Sequence, residues 1–175
     1  MTFINDVQAA WNHGKVTTAL TFDIKGYFDF VNHQRLLREL RRKKIPLEYV
    51  KWTASFLSDR EAAICLDGIR GEMKPVQNGI PQGSPISPIL AAFYTAELLE
   101  NFKPLPNPTS SYTPSLPTQI NVLMYIDDGK IYMSSNSLET NVILVKLAYL
   151  EVEKWLTSAG LAADVAKREI MHYSR

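Results

Sequence analysis

Residues 120–133 read Ile120-Asn-Val-Leu-Met-Tyr-Ile-Asp-Asp-Gly-Lys-Ile-Tyr-Met133, and this stretch decides the fold. Two apolar runs, at 120–126 and 131–133, flank Asp127-Asp-Gly-Lys130. Apolar runs on either side of turn-forming residues predict a buried β-hairpin, here with two acidic residues at its tip. Asp-Asp-Gly is also an ordinary turn sequence, so the acidic pair taken alone does not indicate a functional site.

The sequence around this hairpin alternates between strand and helix patterns. Residues 16–22 are rich in Thr and apolar side chains, and they predict a strand that runs directly into Asp23. Apolar periodicity and cap residues predict the other elements. These are a first helix closed by Gly14, a helix over 33–44 capped by Asn32, a helix from Pro46, a hairpin of 62–66 with 73–76 around Asp67-Gly68, a helix from Ser87 to about Asn101, a long helix with Asn136 and Glu139 at capping-box spacing, and a strand over 168–173.

The order of these elements predicts the fold class. Without an insert at about 34–84, the order is strand, helix, two hairpin strands, helix, strand. This is the split β-α-β order of ferredoxin-like folds, so we predict an α/β (α+β) domain. The first strand then lies beside the hairpin, which brings Asp23 near Asp127 and Asp128. Residues 103–118 hold five of the ten prolines and predict an exposed loop inside one domain of residues 1–175.

Three carboxylates at the end of a buried sheet indicate a cation site. At ~4 Å and an effective dielectric of about 20, each close pair of charges costs roughly 4 kcal/mol. Such a cluster is stable when it binds a divalent cation or takes up a proton, and hard oxygen ligands favour Mg²⁺ or Mn²⁺. Two such ions about 4 Å apart are the usual arrangement for phosphoryl transfer. His13, His33 and His172 have no zinc-ligand spacing and are interpreted as surface or structural residues.

The overall composition and charge do not by themselves indicate what the protein binds. The chain has 175 residues, 19 basic and 18 acidic, so its net charge of +1 gives no general argument for nucleic-acid binding. Residues 35–44 carry six basic side chains and one acidic one, which fits either a solvated helix face or a phosphate contact. Cys65, the single cysteine, is expected to be a packed, reduced thiol. No apolar run approaches a membrane span and no signal peptide is evident.

Four segments together resemble the reverse transcriptase domain of non-LTR (LINE-like) retrotransposons, in the order in which that family carries its polymerase motifs. The resemblance covers nearly the whole chain. The segments are Phe22-Asp-Ile-Lys-Gly-Tyr-Phe-Asp-Phe-Val31, Asn78-Gly-Ile-Pro-Gln-Gly-Ser-Pro-Ile-Ser-Pro88, Tyr125-Ile-Asp-Asp128 and Gly160-Leu-Ala-Ala-Asp-Val-Ala-Lys-Arg-Glu169.

The resemblance implies a polymerase palm at about 1–33 and 85–175 with a fingers-side insert at about 34–84. It implies that two Mg²⁺ or Mn²⁺ ions are held by Asp23, Asp127 and Asp128, and that Lys167 approaches the leaving pyrophosphate. The implied contacts to the deoxynucleoside triphosphate (dNTP) and the primer–template are the Ile24 carbonyl, Phe28 as the group that blocks a 2′-hydroxyl, Gln82, Gly83 and Tyr125. Arg35, Arg38, Arg42 and Lys43 are the implied contacts to template phosphates.

The chain departs from the family at its ends. It starts shortly before the first motif and stops at Arg175, so we expect the thumb and part of the fingers to be absent. We therefore expect an RNA-directed DNA polymerase core, a nucleotidyltransferase, that acts with the rest of a longer polyprotein, on an RNA or DNA template, without a membrane partner. The alternative is a non-catalytic or relic palm module that binds nucleic acid or protein. A related enzyme of the group II intron type is a weaker alternative, and uncovered apolar faces favour self-association.

Overall fold

A four-stranded antiparallel sheet with helices on both faces organises the chain. The structure is a computed structural model that describes residues 2–102 and 120–175. The predicted Pro-rich loop 103–118 lies outside the described residues. The helices are α1 (Thr2–Asn12), α2 (Tyr27–Phe30), α3 (His33–Arg42), α4 (Leu47–Leu57), α5 (Ser87–Glu100) and α6 (Leu138–Ser158). The sheet strands are β1 (Val16–Asp23), β6 (Asn121–Tyr125), β7 (Asp128–Ser135) and β8 (Glu169–Tyr173), and the short strands are β2 (Glu61–Ala62), β3 (Cys65–Leu66), β4 (Ile69–Arg70) and β5 (Lys74–Pro75).

The strand order of the main sheet is β6-β7-β1-β8, with each neighbouring pair antiparallel. This is the arrangement that the split β-α-β order predicts, and the α/β fold class is confirmed. Helix α6 packs on β1 and β7, and α5 packs on β6. The ring of Phe22 in β1 meets that of Tyr149 in α6 edge to face at 5.7 Å, and Tyr94 in α5 contacts Trp155 in α6 at 6.5 Å.

Helix α1 covers part of the opposite face of the sheet. Phe3 makes edge contacts with Tyr132 and Tyr173, at centroid distances of 4.9 and 5.4 Å. Tyr132 donates a hydrogen bond to Asp6 Oδ2 at 2.6 Å. Tyr132 pairs with Ala19, and Asp128 and Asp23 each lie four residues further along these two strands. Because cross-strand partners share a face and side chains alternate along a strand, Tyr132, Asp23 and Asp128 lie on the same face. The sheet is therefore buried on both faces at its α1 end and open at its acidic end.

Three predicted details are wrong. The N-cap of α6 is Ser137, which accepts a hydrogen bond from the Thr140 amide, rather than Asn136. The hairpin around Asp67-Gly68 forms, but as two separate two-residue ladders, β3–β4 and β2–β5, rather than one continuous pair. Cys65 is exposed, because both residues of β3 lie at the surface of this short two-stranded hairpin. The cap of α3 is as predicted, since Asn32 accepts from the Arg35 amide at 2.9 Å.

Candidate active site

The predicted acidic residues meet at the open end of the sheet. Asp23 ends β1, Asp128 begins β7, and the two are directly paired across the antiparallel ladder. Asp127 belongs to the two-residue turn that joins Tyr125 to Asp128, and its carbonyl accepts a hydrogen bond from the Ile24 amide at 2.9 Å. Asp23, Asp127 and Asp128 therefore meet at one end of the two central strands of the sheet, as predicted.

The turn between β6 and β7 is strained. Ile126 has a φ of 58°, a left-handed conformation that a β-branched residue rarely adopts. Two-residue hairpins favour positive φ because that twist matches the strands, and Gly normally supplies it. The strain is of order 1–3 kcal/mol and persists only where the surroundings hold it. The Ile24–Asp127 backbone bond and the ladder on either side supply that restraint.

A glycine creates space beneath the acidic pair. Gly129 is the cross-strand partner of Phe22, and a Cβ at this position would lie 2.1 Å from the Phe22 ring. Only a residue without a side chain lets the ring pass across β7. Phe22 is consequently 2% exposed and connects the strand end to α6.

The segment after α6 returns to the end of β1 and carries Lys167 there. The Lys25 amide donates to the Ala162 carbonyl and the Asp164 amide to the Asp23 carbonyl, at 2.9 and 2.8 Å. Lys167 Nζ then lies 3.1 Å from Asp23 Oδ2. The hydrogen bond with Asp23, followed by the negative charges of Asp23, Asp164 and Asp127, raises the pKa of Lys167. The Lys167 ammonium is therefore a fixed positive charge beside the acidic residues.

Asp23, Asp128 and Lys167 line an open cleft of about 570 Å³, whereas Asp127 in the turn does not line it. Its lining includes predicted residues and others that the sequence analysis did not single out. The lining residues are Thr21, Phe22, Asp23, Leu123, Met124, Tyr125, Asp128, Gly129, Lys130, Lys167 and Glu169. The strand period of two would have found Thr21 and Lys130, since each lies two residues from a predicted carboxylate on the same face.

The structure does not draw the acidic side chains into a compact metal-binding group. Within residues 2–102 and 120–175, no three His, Cys, Asp or Glu side chains are arranged to hold a metal ion. Lys167 instead gives Asp23 a cationic partner. Asp23, Asp127 and Asp128 carry the hard oxygen donors that a divalent cation prefers, and their role as its ligands stays a prediction.

Two of the predicted nucleotide-side residues, Gln82 and Gly83, lie on a loop that docks against α2, and a third, Phe28, lies in α2 itself. The Ile80 amide donates to the Phe28 carbonyl at 2.7 Å, and Gln82 Nε2 donates to Asp29 Oδ1 at 3.2 Å. Phe28 is half-buried and meets Tyr27 edge to face at 5.9 Å. Gly83 has a φ of +86° with open space around it. None of Phe28, Gln82 and Gly83 lines the cleft itself, so their roles stay predictions.

The basic cluster of α3 is held mostly by internal partners. Arg35 Nη2 lies 2.6 Å from Glu97 Oε2, and its guanidinium also stacks over the Trp155 ring at 5.4 Å. Arg42 Nη1 lies 2.7 Å from Glu100 Oε2, and Lys43 pairs with the same carboxylate. Three of the four predicted template contacts therefore tie α3 to α5 and lie outside the cleft. The fourth, Arg38, keeps 68% of its side chain exposed.

Comparison with known proteins agrees with this fold. The family model described as Reverse transcriptase (RNA-dependent DNA polymerase) matches residues 1–175. The RNA-directed DNA polymerase from mobile element jockey of Drosophila melanogaster is 26% identical over 135 residues, which are 77% of this chain and 14% of that protein. A Pol polyprotein from type-1 retrotransposable element R2 of Popillia japonica is 30% identical over 115 residues, 66% of this chain and 18% of its own length.

A solved structure shares the fold at lower identity. Telomerase from Candida tropicalis, in complex with a fragment of telomeric RNA, superposes with a TM-score of 0.68 at 16% identity. The match covers 98% of this chain and 28% of the telomerase chain.

An antiparallel palm-like sheet with acidic residues at one end of its central strands defines the polymerase class of fold. Within that class, this chain belongs to the reverse transcriptase family. The predicted resemblance to non-LTR retrotransposon reverse transcriptases is confirmed by the relatives from jockey and R2. The chain spans less than a fifth of the length of either relative. In the part of the chain that the structure describes, no helix is long and apolar enough to cross a membrane.

Proposed function

We propose that this chain is the catalytic core of an RNA-directed DNA polymerase that adds nucleotides from a dNTP to a primer 3′-hydroxyl. The observation that carries the proposal is the Asp23–Asp128 pair at the mouth of a cleft, with Lys167 beside it. Paired acidic residues beside a positive charge suit nucleotidyl transfer, in which the transition state is stabilised mainly by position and charge.

The proposed chemistry assigns tasks to the three acidic residues, to Lys167 and to Tyr125. Bound divalent ions, Mg²⁺ or Mn²⁺, would lower the pKa of the primer hydroxyl and neutralise the leaving pyrophosphate. Asp23, Asp127 and Asp128 supply the oxygens that hold them. Lys167 holds a proton and a positive charge where the pyrophosphate leaves. The ring of Tyr125, 77% exposed, gives the primer end an apolar surface to rest on.

The loop docked on α2 would position the incoming nucleotide. In this proposal Phe28 blocks a 2′-hydroxyl, Gln82 and Gly83 lie against the forming base pair, and the Ile24 carbonyl lies near the cation site. The loop is tied to the chain segment directly after Asp23 by the Ile80–Phe28 and Gln82–Asp29 hydrogen bonds.

The proposed partners follow from the same chemistry. A template of RNA or DNA with its primer would lie over the open part of the sheet, next to the cleft. The relatives are several times longer, and the R2 relative is a polyprotein. We therefore propose that this core acts with other parts of a longer chain, on nucleic acid in the cell, the nucleus included. Its palm would be about 1–33 and 85–175, and its fingers side about 34–84.

A second candidate is a non-catalytic module that binds nucleic acid or protein through the same fold. An apolar groove between α4 and α5, lined in part by Tyr49, Trp52 and Phe93, favours protein contacts, self-association included. Light scattering over a range of concentrations tests self-association, and a monomeric mass throughout would contradict it.

Primer extension with Mg²⁺ and then Mn²⁺, on RNA and on DNA templates, tests the catalytic proposal. Asp127→Asn is the test variant, and Asp67→Asn, the same change in an exposed turn, is the matched control. We expect extension by the wild type and by Asp67→Asn but not by Asp127→Asn. Extension by Asp127→Asn at the wild-type rate would contradict the assigned site. No extension by any protein, with nucleic acid still bound, would favour the non-catalytic module.

A further inference from the structure

The positively charged side chain of Lys167 lies at the end of the sheet where the acidic residues meet. Lys167 Nζ is 3.1 Å from Asp23 Oδ2. The Asp23 side chain is 17% exposed and that of Lys167 is 62% exposed. The Asp23 carboxylate is therefore largely buried, whereas most of the Lys167 side chain is in solvent. Lys167 can move away from Asp23 without disturbing the packing of another residue.

The backbone fixes this contact in place. Ile24 and Ala163 form a β-bridge, and the Asp164 amide donates to the Asp23 carbonyl at 2.8 Å. Asp164 then caps the 3₁₀ turn of residues 165–167 by accepting from the Ala166 amide at 3.0 Å. The turn therefore starts beside Asp23, and Lys167 is its last residue. These backbone contacts therefore hold the main chain of Lys167 beside Asp23, so the ion pair does not depend on side-chain conformation alone.

The negative charge around Lys167 comes from more than one residue. Asp127 in the hairpin turn and Asp164 in the cap both act on its ammonium, in addition to Asp23. Two of these three residues, Asp23 and Asp127, belong to the proposed cation site. The ammonium therefore lies in the electric field in which a divalent ion would be held.

We propose that Lys167 is a placeholder cation, which neutralises Asp23 until a divalent ion binds and which that ion then displaces. This inference rests on the proposed function. The ammonium and a divalent ion are both positive and would lie on the same carboxylate, so their mutual repulsion makes them compete for Asp23. Displacement would also release the ammonium toward the phosphates at the moment when the site is loaded. The acidic residues would thus stay close together in the absence of an ion, with part of their repulsion offset.

Competition predicts that loss of the Lys167 charge makes ion binding tighter. Exposed ion pairs change an equilibrium by a factor of about 1.5 to 5. We therefore expect Lys167→Met to lower the Kd for Mn²⁺ by about that factor, measured on the purified chain by electron paramagnetic resonance of free Mn²⁺. Lys167→Arg keeps the charge and should bind Mn²⁺ as the wild type does.

The control for net charge is Lys154→Met, which removes one positive charge at an exposed residue of α6 outside the cleft. Circular dichroism shows whether each variant folds, and Lys167→Gln replaces Lys167→Met if the latter does not. An unchanged or higher Kd in the uncharged Lys167 variant would overturn the placeholder role while leaving the cation site. An equal fall in Kd for Lys154→Met would overturn it as well. Absence of Mn²⁺ binding in wild type and variant alike would overturn both this role and the proposed cation site.

Discussion

Asp23 and Asp128 form the terminal residue pair of the ladder between β1 and β7, so sheet register rather than loop conformation fixes their separation. The next pair inward is Phe22 with Gly129, where ring and missing side chain interlock. A shift of one residue in either strand would force the Phe22 ring against a different partner. The packing of Phe22 on Gly129 therefore maintains the register of β1 and β7, and with it the separation of Asp23 and Asp128.

Gly129→Ala should destabilise the protein by about 1–3 kcal/mol, because the added Cβ would lie 2.1 Å from the Phe22 ring. Urea unfolding measures the change. Removing the obstructing ring should relieve the clash, so Phe22→Leu and Gly129→Ala together should cost clearly less than the sum of the two single changes. Additive costs would show that the ring contact is not the reason for the glycine.

Gly79→Ala should cost more stability than Gly83→Ala, although both residues have positive φ, +84° and +86°. The left-handed backbone costs each alanine about 1–2 kcal/mol. At Gly79 the new Cβ would also lie 2.8 Å from the Asp29 carbonyl oxygen, a backbone atom that cannot rotate away, whereas Gly83 has open space. We expect an additional cost of about 1–3 kcal/mol at Gly79 in urea unfolding. Equal costs at both positions would mean that the loop does not dock on α2.

Substitutions at Arg38 and Arg35 should distinguish a residue that contacts nucleic acid from one that stabilises the fold. Arg38 is 68% exposed, so Arg38→Ala should reduce the slope of log affinity against log salt by about 0.7–0.9, the loss of one phosphate contact. Arg35 is 14% exposed and paired with Glu97, so Arg35→Lys should leave the slope unchanged and lower the free energy of unfolding by about 1.5–3 kcal/mol. Fluorescence anisotropy of a labelled primer–template and urea unfolding provide the two measurements. The reverse pattern would show that Arg35 is the phosphate contact.

Acid should weaken the link between α3 and α5 through Glu100. Hydrogen bonds from Lys43 and then Arg42 lower the pKa of Glu100 from 4.5 to about 2. The unfolded chain then binds more protons than the folded one in this range, so the stabilisation is present above pH 4.5 and is lost as the pH falls toward 2. Calorimetry should show that the Tm of Glu100→Gln falls less between these pH values than that of the wild type.

The control for this titration is Glu151→Gln, the same change at an exposed ion pair within α6. Its Tm should follow the wild-type curve throughout the acid range. Parallel curves for the wild type and Glu100→Gln would contradict the assigned role of the α3–α5 ion pairs.

Local patterns predicted the sheet and the meeting of the acidic residues. The apolar runs around Asp127 and the strand leading to Asp23 have short-range signatures, and a split β-α-β order allows few arrangements. The Asn32 cap was predicted for the same reason, since its hydrogen bond depends only on residues three positions away.

The wrong predictions depended on energies or contacts that a pattern does not contain. Asn136 and Ser137 are both good N-caps, and the difference between them is too small for sequence to decide. Cys65 lies in an apolar run, but its burial required a packing partner that the short hairpin lacks. The contact of Lys167 with Asp23 was not predicted at all, because it joins residues 144 positions apart and depends on how the segment after α6 returns to the sheet.

The length of the two-residue turn at Ile126 and Asp127 determines which residue of β7 pairs with Asp23. Because side chains alternate along a strand, one residue added to or removed from this turn would turn Asp128 toward α6 and place Gly129 or Asp127 opposite Asp23. Substitutions at Ile126 alter its strain and its packing against the core, but a change in length would exchange the two faces of β7. This turn should therefore accept changes of residue type and reject insertions and deletions.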